Sequence, residues 1–200
     1  MSKKREILQA ATKLLAMKGY KEASMAELAK ITGVAQGTIF YHYNNKEALF
    51  LSILEAFKKD IISEFTRYRH EHHFQSGLDM LQDVIGFYLH MVGIMEDRFM
   101  LLHRHHAYEL ARVNPTCRAY LEAIYNCLID IFEQAILAGQ KDGTIRTAPA
   151  RHIAMIVFSM VDGLVRFNTY NLYDAGVLYE ELVLCCRAIV QNNAAPSTRS

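Results

Sequence analysis

Apolar residues recur every three to four positions along almost the whole chain, with polar residues between them. Ile7, Ala11, Leu14 and Leu15 form the first such stripe, which predicts an amphipathic helix over Lys3–Lys18, stopped by Gly19. Ser24-Met25-Ala26-Glu27 then has the spacing of a capping box, in which the Ser24 hydroxyl accepts from the Glu27 N–H and the Glu27 carboxylate reaches back. A short helix over Met25–Thr32 follows and ends at Gly33, where a tight turn wants positive φ. A third helix runs from about Gln36 to Tyr43. Asn45 caps a long fourth, with Glu47 in its first turn and Leu49, Ile53, Leu54, Phe57 and Ile61 as its buried stripe. Beyond Arg67 the pattern predicts helices over Leu78–Met95, Phe99–Ala111, Cys117–Ala138, Pro149–Phe167 and Val177–Val190. The fold class is all-α, with about nine helices: a three-helix head, a helical bundle behind it, and an Ala/Ser/Pro/Thr-rich tail.

Composition supports this and adds a division. The chain of 200 residues is 52% hydrophobic with only 3 Pro and 10 Gly, enough apolar material for a core and too little turn chemistry for an all-β fold. The net charge of +1 hides an asymmetry: residues 1–50 hold eight Lys/Arg against four Glu, and the remainder is net acidic by three. The head and the body are therefore expected to face different partners. Cys117, Cys127, Cys185 and Cys186 form no CxxC pair. No apolar leader with a cleavage site opens the chain, and no apolar run approaches the roughly 20 residues of a membrane span. The expectation is a cytoplasmic protein with reduced thiols and no membrane contact.

Phe40, Tyr41, His42 and Tyr43 are four rings in a row, and a helix cannot bury all of them, because successive side chains point about 100° apart. They follow two short helices joined by Gly33-Val34-Ala35, the size of a helix-turn-helix. With Val34 and Ile39 turned inward, Gln36, Gly37, Thr38, Tyr41 and His42 lie on the outer side or its margin. Gln pairs bidentately with adenine, Thr offers a hydroxyl and a methyl to thymine, and Gly37 admits a close approach. Tyr41, His42 and Lys46 suit phosphates, as does the Ser24 end of the second helix.

The stretch ILQAATKLLAMKGYKEASMAELAKITGVAQGTIFYHYNNKEALF, Ile7 to Phe50, resembles the DNA-binding domain of the TetR family of bacterial transcriptional regulators. It combines a Gly-Tyr after the first helix, a Ser-x-x-Glu entry, Ala-Lys-x-x-Gly-Val at the turn and Gly-Thr-Ile-Phe-Tyr-His-Tyr before Lys-Glu. Phe40 stands where the family often has Tyr, and Tyr43 where it usually has Phe. The resemblance implies DNA contacts from Ser24, Gln36, Gly37, Thr38, Tyr41, His42 and Lys46. It also implies a helix-turn-helix domain over residues 1–46, an effector-binding and dimerisation domain over 47–192, and a flexible tail at 193–200. A homodimer would read a palindromic double-stranded DNA operator, most simply as a repressor, and its last two helices would pair with their mates.

Ile153, Ile156, Val157, Met160 and Leu164 on the penultimate helix and Leu178 and Leu182 on the last are the expected dimer surface. Tyr88, Met91, Met95, Phe99, His103, Tyr120, Tyr125 and Phe158 are the expected lining of an effector pocket, and favour a hydrophobic or aromatic small molecule. His103-Arg104-His105-His106 would place His103 and His106 on one helix face, which admits a metal or haem sensor as an alternative. No carboxylate or Cys completes a close ligand set, so neither a metal nor a cofactor is expected. No Glu-x-x-His pair and no nucleophile–base–acid constellation points to an enzyme. An architectural or cell-division factor of the same fold, without a small ligand, is the remaining alternative.

Overall fold

The computed structural model describes residues 2–174 and 176–191. The predicted tail at 193–200 lies outside them, as does the 192 limit of the predicted second domain. Ten α-helices and one 3-10 turn make up the regular structure of the described residues: α1 (Lys3–Lys18), α2 (Met25–Thr32), α3 (Gln36–His42), α4 (Lys46–Glu71), α5 (Gly77–Ile94), α6 (Glu96–His103), α7 (His105–Val113), α8 (Pro115–Asp142), α9 (Ala150–Thr169) and α10 (Tyr179–Val190), with the 3-10 turn at Gly176–Leu178.

The expected single helix over Phe99–Ala111 is two, α6 and α7. The break is at Arg104, whose extended backbone (φ −72°, ψ 142°) ends one helix and begins the other. That turn sends its guanidinium to the Ala16 carbonyl near the end of α1, at 2.5 Å. A cation there also meets the negative end of the α1 dipole.

The chain forms two compact units, and the division falls inside α4, between Ser63 and Glu64, inside α5, between Val92 and Gly93, and inside α8, between Asn126 and Cys127. The first unit holds α1 to α3 and the start of α4, together with α6, α7 and the start of α8. It therefore reaches well beyond the three-helix head. Ile7, Leu15, Leu28, Ile39, Phe50 and Phe57 are fully buried in it. Phe57 meets Phe99 of α6 edge-on, ring centroids 5.0 Å apart.

The second unit holds α5 up to Val92, α9, α10 and the remainders of α4 and α8. Gly77 opens α5 against the end of α8, and its N–H donates to Asp142 Oδ2 at 2.6 Å. The hydroxyl and N–H of Thr144 donate to the same carboxylate. The Thr144 hydroxyl and then the two main-chain donors hold its pKa below the ordinary carboxylate value. At the other end, Arg146 donates its main-chain N–H to Val190 O and its Nε–H to Ile189 O, each at 2.9 Å, satisfying carbonyls that α10 leaves open.

Candidate nucleic-acid interface

The helical turn separates the four rings. Tyr43 ends α3 and turns inward, 3% exposed, with its hydroxyl donating to Lys4 O at 3.2 Å. Tyr41 is 84% exposed and Phe40 41%, while His42 is half-buried with its ring edge-on to Tyr41 at 5.2 Å. Ile39, fully buried, pins the helix from beneath, and Val34 is half-buried. Gln36 and Gly37 are exposed and Thr38 half-buried. A Cβ built on Gly37 would meet nothing within 4 Å, so this side is open to another molecule's approach.

The outer face thus carries Gln36, Gly37, Phe40 and Tyr41, a helical i, i+1, i+4, i+5 set. Phe40 is absent from the expected DNA contacts, although its spacing of four from Gln36 was available as a signal. Its ring suits a thymine methyl rather than a phosphate.

The entries to α2 and α4 are built as expected in part. Ser24 Oγ accepts from the Glu27 N–H at 3.1 Å, which leaves the hydroxyl proton to donate outward. The return half of the box is not made, because the Glu27 carboxylate pairs with Lys18 Nζ at 2.5 Å. Asn45 Oδ1 accepts from the Ala48 N–H at 2.7 Å and caps α4. Gly33 takes the left-handed conformation its turn requires, at φ 66°.

Lys46 corrects the sequence reading. Its ammonium is no open point charge waiting for a phosphate. It donates to Tyr20 O at 2.6 Å and Ala23 O at 2.8 Å, lies 3.5 Å from Lys21 O, and sits 4.5 Å from the centroid of the Tyr20 ring. The three protons of the ammonium are directed at the main chain of the α1–α2 connection.

The model of bacterial regulatory proteins of the tetR family matches residues 7–53. The HTH-type transcriptional regulator YhgD of Bacillus subtilis is 39% identical over 61 residues, 30% of this chain and 32% of that protein. A transcriptional regulator of Saccharomonospora viridis, solved in complex with choline, superposes with a TM-score of 0.83 at 21% identity, over 94% of this chain and 97% of that one. FadR of Bacillus subtilis, solved with stearoyl-CoA, does so with a TM-score of 0.75 at 22% identity, over 92% and 97%. Residues 7–53 thus carry the match to the TetR family. The match in sequence spans about a third of the YhgD length, and the likeness to the two solved structures is one of fold.

Behind the TetR-family head, the residues expected to line one pocket divide between the two units. Met95, Phe99, His103, Tyr120 and Tyr125 belong to the first, Tyr88, Met91 and Phe158 to the second. Phe99 and His103 are buried on α6, while Tyr120 and Tyr125 are half-buried on α8, with Tyr125 hydrogen-bonded through its hydroxyl to Tyr108. His103 and His106 do not share a helix face, since the break at Arg104 puts them on α6 and α7. Among the described residues no group of three His, Cys, Asp or Glu is placed to hold a metal ion.

In the second unit, the Tyr88 hydroxyl donates to Asp162 Oδ1 at 2.6 Å. Phe158 and Phe132 meet the Tyr88 ring edge-on at 5.7 and 6.0 Å. Asp162 is only 7% exposed, and Arg166 Nη2 lies 3.9 Å from its Oδ2. This buried carboxylate was missed in the sequence, where a lone Asp in the apolar run of α9 was the available signal.

The expected dimer residues separate by burial. Ile153, Val157 and Leu182 are buried within their own unit, so they support α9 and α10 and cannot face a partner. Ile156 and Leu178 are exposed, and Met160 and Leu164 half-buried. Met155, Phe167 and Leu184 are also exposed and join the apolar surface of the two helices. Among the described residues no helix is long and apolar enough to cross a membrane.

Proposed function

We propose that the chain is a ligand-responsive transcriptional regulator, most simply a repressor, that binds a palindromic DNA operator as a homodimer. The observation that carries this is the outer face of α3, where Gln36, Gly37, Phe40 and Tyr41 stand open to solvent above a fully buried Ile39. Gln36, Thr38 and Phe40 read base edges in the major groove, while Ser24, Tyr41 and His42 hold phosphates. The apolar residues left exposed on α9 and α10 support a two-fold pairing of those helices, which sets two heads on successive turns of the duplex. An effector in the body favours a dimer whose heads no longer match that spacing, and affinity falls by its differential binding to the two states.

The test is selection of duplexes from a random pool by the purified protein. Tyr41→Ala is expected to weaken binding about equally on all sequences, by about ten-fold or more, as befits a lost hydrogen bond to a charged group. Gln36→Ala is expected to change which bases are preferred. Retained affinity and preference in both variants would reject the DNA-reading role of α3.

The effector reading has two forms. The aromatic and Met content of the body supports an apolar small molecule, and one fold neighbour is solved with stearoyl-CoA. Asp162 favours a second form. A carboxylate buried against Tyr88, whose ring meets Phe158 edge-on, suits a small cation with apolar substituents, whose charge meets the acid and whose methyl groups meet the rings. The Saccharomonospora viridis neighbour is solved with choline, a ligand of that chemistry. Calorimetry with choline and with its neutral isostere 3,3-dimethylbutan-1-ol separates the two. The cation form expects choline to bind more tightly, and Asp162→Asn, which keeps an acceptor for Tyr88, to lower its affinity about ten-fold or more. Equal binding of the charged and neutral compounds leaves only the apolar form.

A further inference from the structure

His106, near the start of α7, lies in a ring cluster at the α1–α2 connection. Its imidazole stacks on Tyr20, centroids 3.6 Å apart and planes 16° apart, and meets Phe50 edge-on at 5.3 Å. Phe50 in turn meets Tyr20 edge-on at 5.8 Å. Tyr20 is the residue whose carbonyl and ring both hold the Lys46 ammonium, and Ala23, the other main contact of Lys46, directly precedes the Ser24 cap of α2. A continuous set of contacts thus runs from α7 through Tyr20 and Lys46 to the entry of α2. Asn114, which ends α7, donates to Glu47 Oε1 at 2.7 Å and fastens the same region to α4.

As packing alone, an imidazole is a poor choice here. Its Nε2 is buried and has no hydrogen-bond partner among the described residues. A phenyl ring would fill the same space without leaving a polar atom dry. What an imidazole adds is a charge that depends on pH. The charged and titratable groups around it are Glu109 on α7, Lys46 and Glu47 on α4, and Lys21 and Tyr20 in the connection. Arg104 and His105 precede it, with Arg104 bonded to Ala16 O and His105 turned to Glu109 at 3.1 Å. Burial is the largest influence and holds the His106 pKa below its ordinary value of 6.5, with Lys46 and Lys21 acting the same way against Glu109 and Glu47.

We infer that His106 is a positioning residue for the DNA-reading helices: its uncharged ring, stacked on Tyr20, keeps the α1–α2 connection in the form that Lys46 clamps. Protonation would set a second cation against a ring that already carries Lys46, inside an apolar cluster. The sign follows from the depressed pKa. The contribution of the stack is complete above the ordinary histidine value and is lost as pH falls through that value toward the depressed one. DNA affinity is therefore coupled to acidification through a residue that touches no DNA. This rests on the regulator reading above.

The test compares wild type, His106→Phe and His106→Ala on a duplex selected by the wild-type protein. At pH 7.5 the Phe variant is expected to bind within about two-fold of wild type and the Ala variant about ten-fold more weakly, the usual scale for loss of a buried ring contact. Between pH 7.5 and 5.5, wild type is expected to lose about five-fold or more relative to the Phe variant. The other histidines are common to both proteins, so their titration cancels in that ratio. The Phe variant is also expected to melt at a higher temperature than wild type. A Phe variant as weak as the Ala variant, or one with the same pH course as wild type, overturns the inference and leaves the regulator reading standing. A wild-type protein that selects no duplex removes both.

Discussion

Lys46→Met is expected to lower duplex affinity on every sequence by about ten-fold or more, while leaving the salt dependence of binding unchanged. The reason is where the ammonium points. Tyr20 O and Ala23 O lose a charge-assisted donor, and the Lys21 carbonyl loses a nearby cation. At roughly 1.5–3 kcal/mol for a hydrogen bond to a charged group, discounted because Lys46 is half-exposed, the first unit should lose about 2–3 kcal/mol of stability. A lysine that neutralised a phosphate would behave otherwise, since its removal lowers the slope of log affinity against log salt by about one. Lys46→Arg sharpens the distinction. A guanidinium restores most phosphate contacts, but its planar fork cannot aim protons at carbonyls that surround a compact ammonium. Anisotropy titrations at several salt concentrations, with thermal melting alongside, separate the two roles. Full rescue of affinity and stability by arginine would mean that the cradle is incidental and the phosphate contact real.

The contrast between Lys46 and its neighbours tells which features a sequence displays and which it hides. The limits of α1 and α2 are where the apolar stripe, Ser24 and Gly33 put them, because a cap acts within one turn of its own residue. Much of the outward set on α3 is legible for the same reason: Gln36, Gly37 and Tyr41 follow one helical period, although Phe40 was left out and Thr38 and His42 are half-buried. Lys46 is not, because its partners lie 23 to 26 residues earlier on a connection whose path no local pattern encodes. The break at Arg104 is hidden more deeply still, since its guanidinium answers a carbonyl 88 residues away. In α9 the apolar residues occupy most sides, so periodicity alone cannot say that Val157 faces inward and Ile156 outward. The carboxylate of Asp162 was visible as an oddity, but its meaning depends on Tyr88, 74 residues before it.

Gly77→Ala is expected to be the most damaging single-methyl change among these glycines. A Cβ at this position would lie 1.9 Å from the Gly139 nitrogen, 2.2 Å from its Cα and 2.5 Å from the Ala138 carbonyl carbon. All three are backbone atoms of α8, so no side-chain rotamer can relieve the overlap. The start of α5 must move off the end of α8. That movement breaks the Gly77 N–H bond to Asp142 and the Leu78 N–H bond to Thr144 Oγ1, which otherwise satisfy two of the open donors of the first turn of α5. Overpacking costs about 1–3 kcal/mol where side chains can yield, and two lost hydrogen bonds add to it, so a loss of about 3–5 kcal/mol is expected. Domains have only about 5–15 kcal/mol in hand, so the second unit should then unfold under conditions that leave the wild type intact. Gly93→Ala is the control: it lies in the last turn of α5 with nothing within 4 Å of the added methyl, and should leave stability unchanged or slightly raised. Urea unfolding followed by circular dichroism reads both variants. A Gly77→Ala protein as stable as the Gly93→Ala protein would mean that α5 and α8 do not approach each other at Gly77 and Gly139.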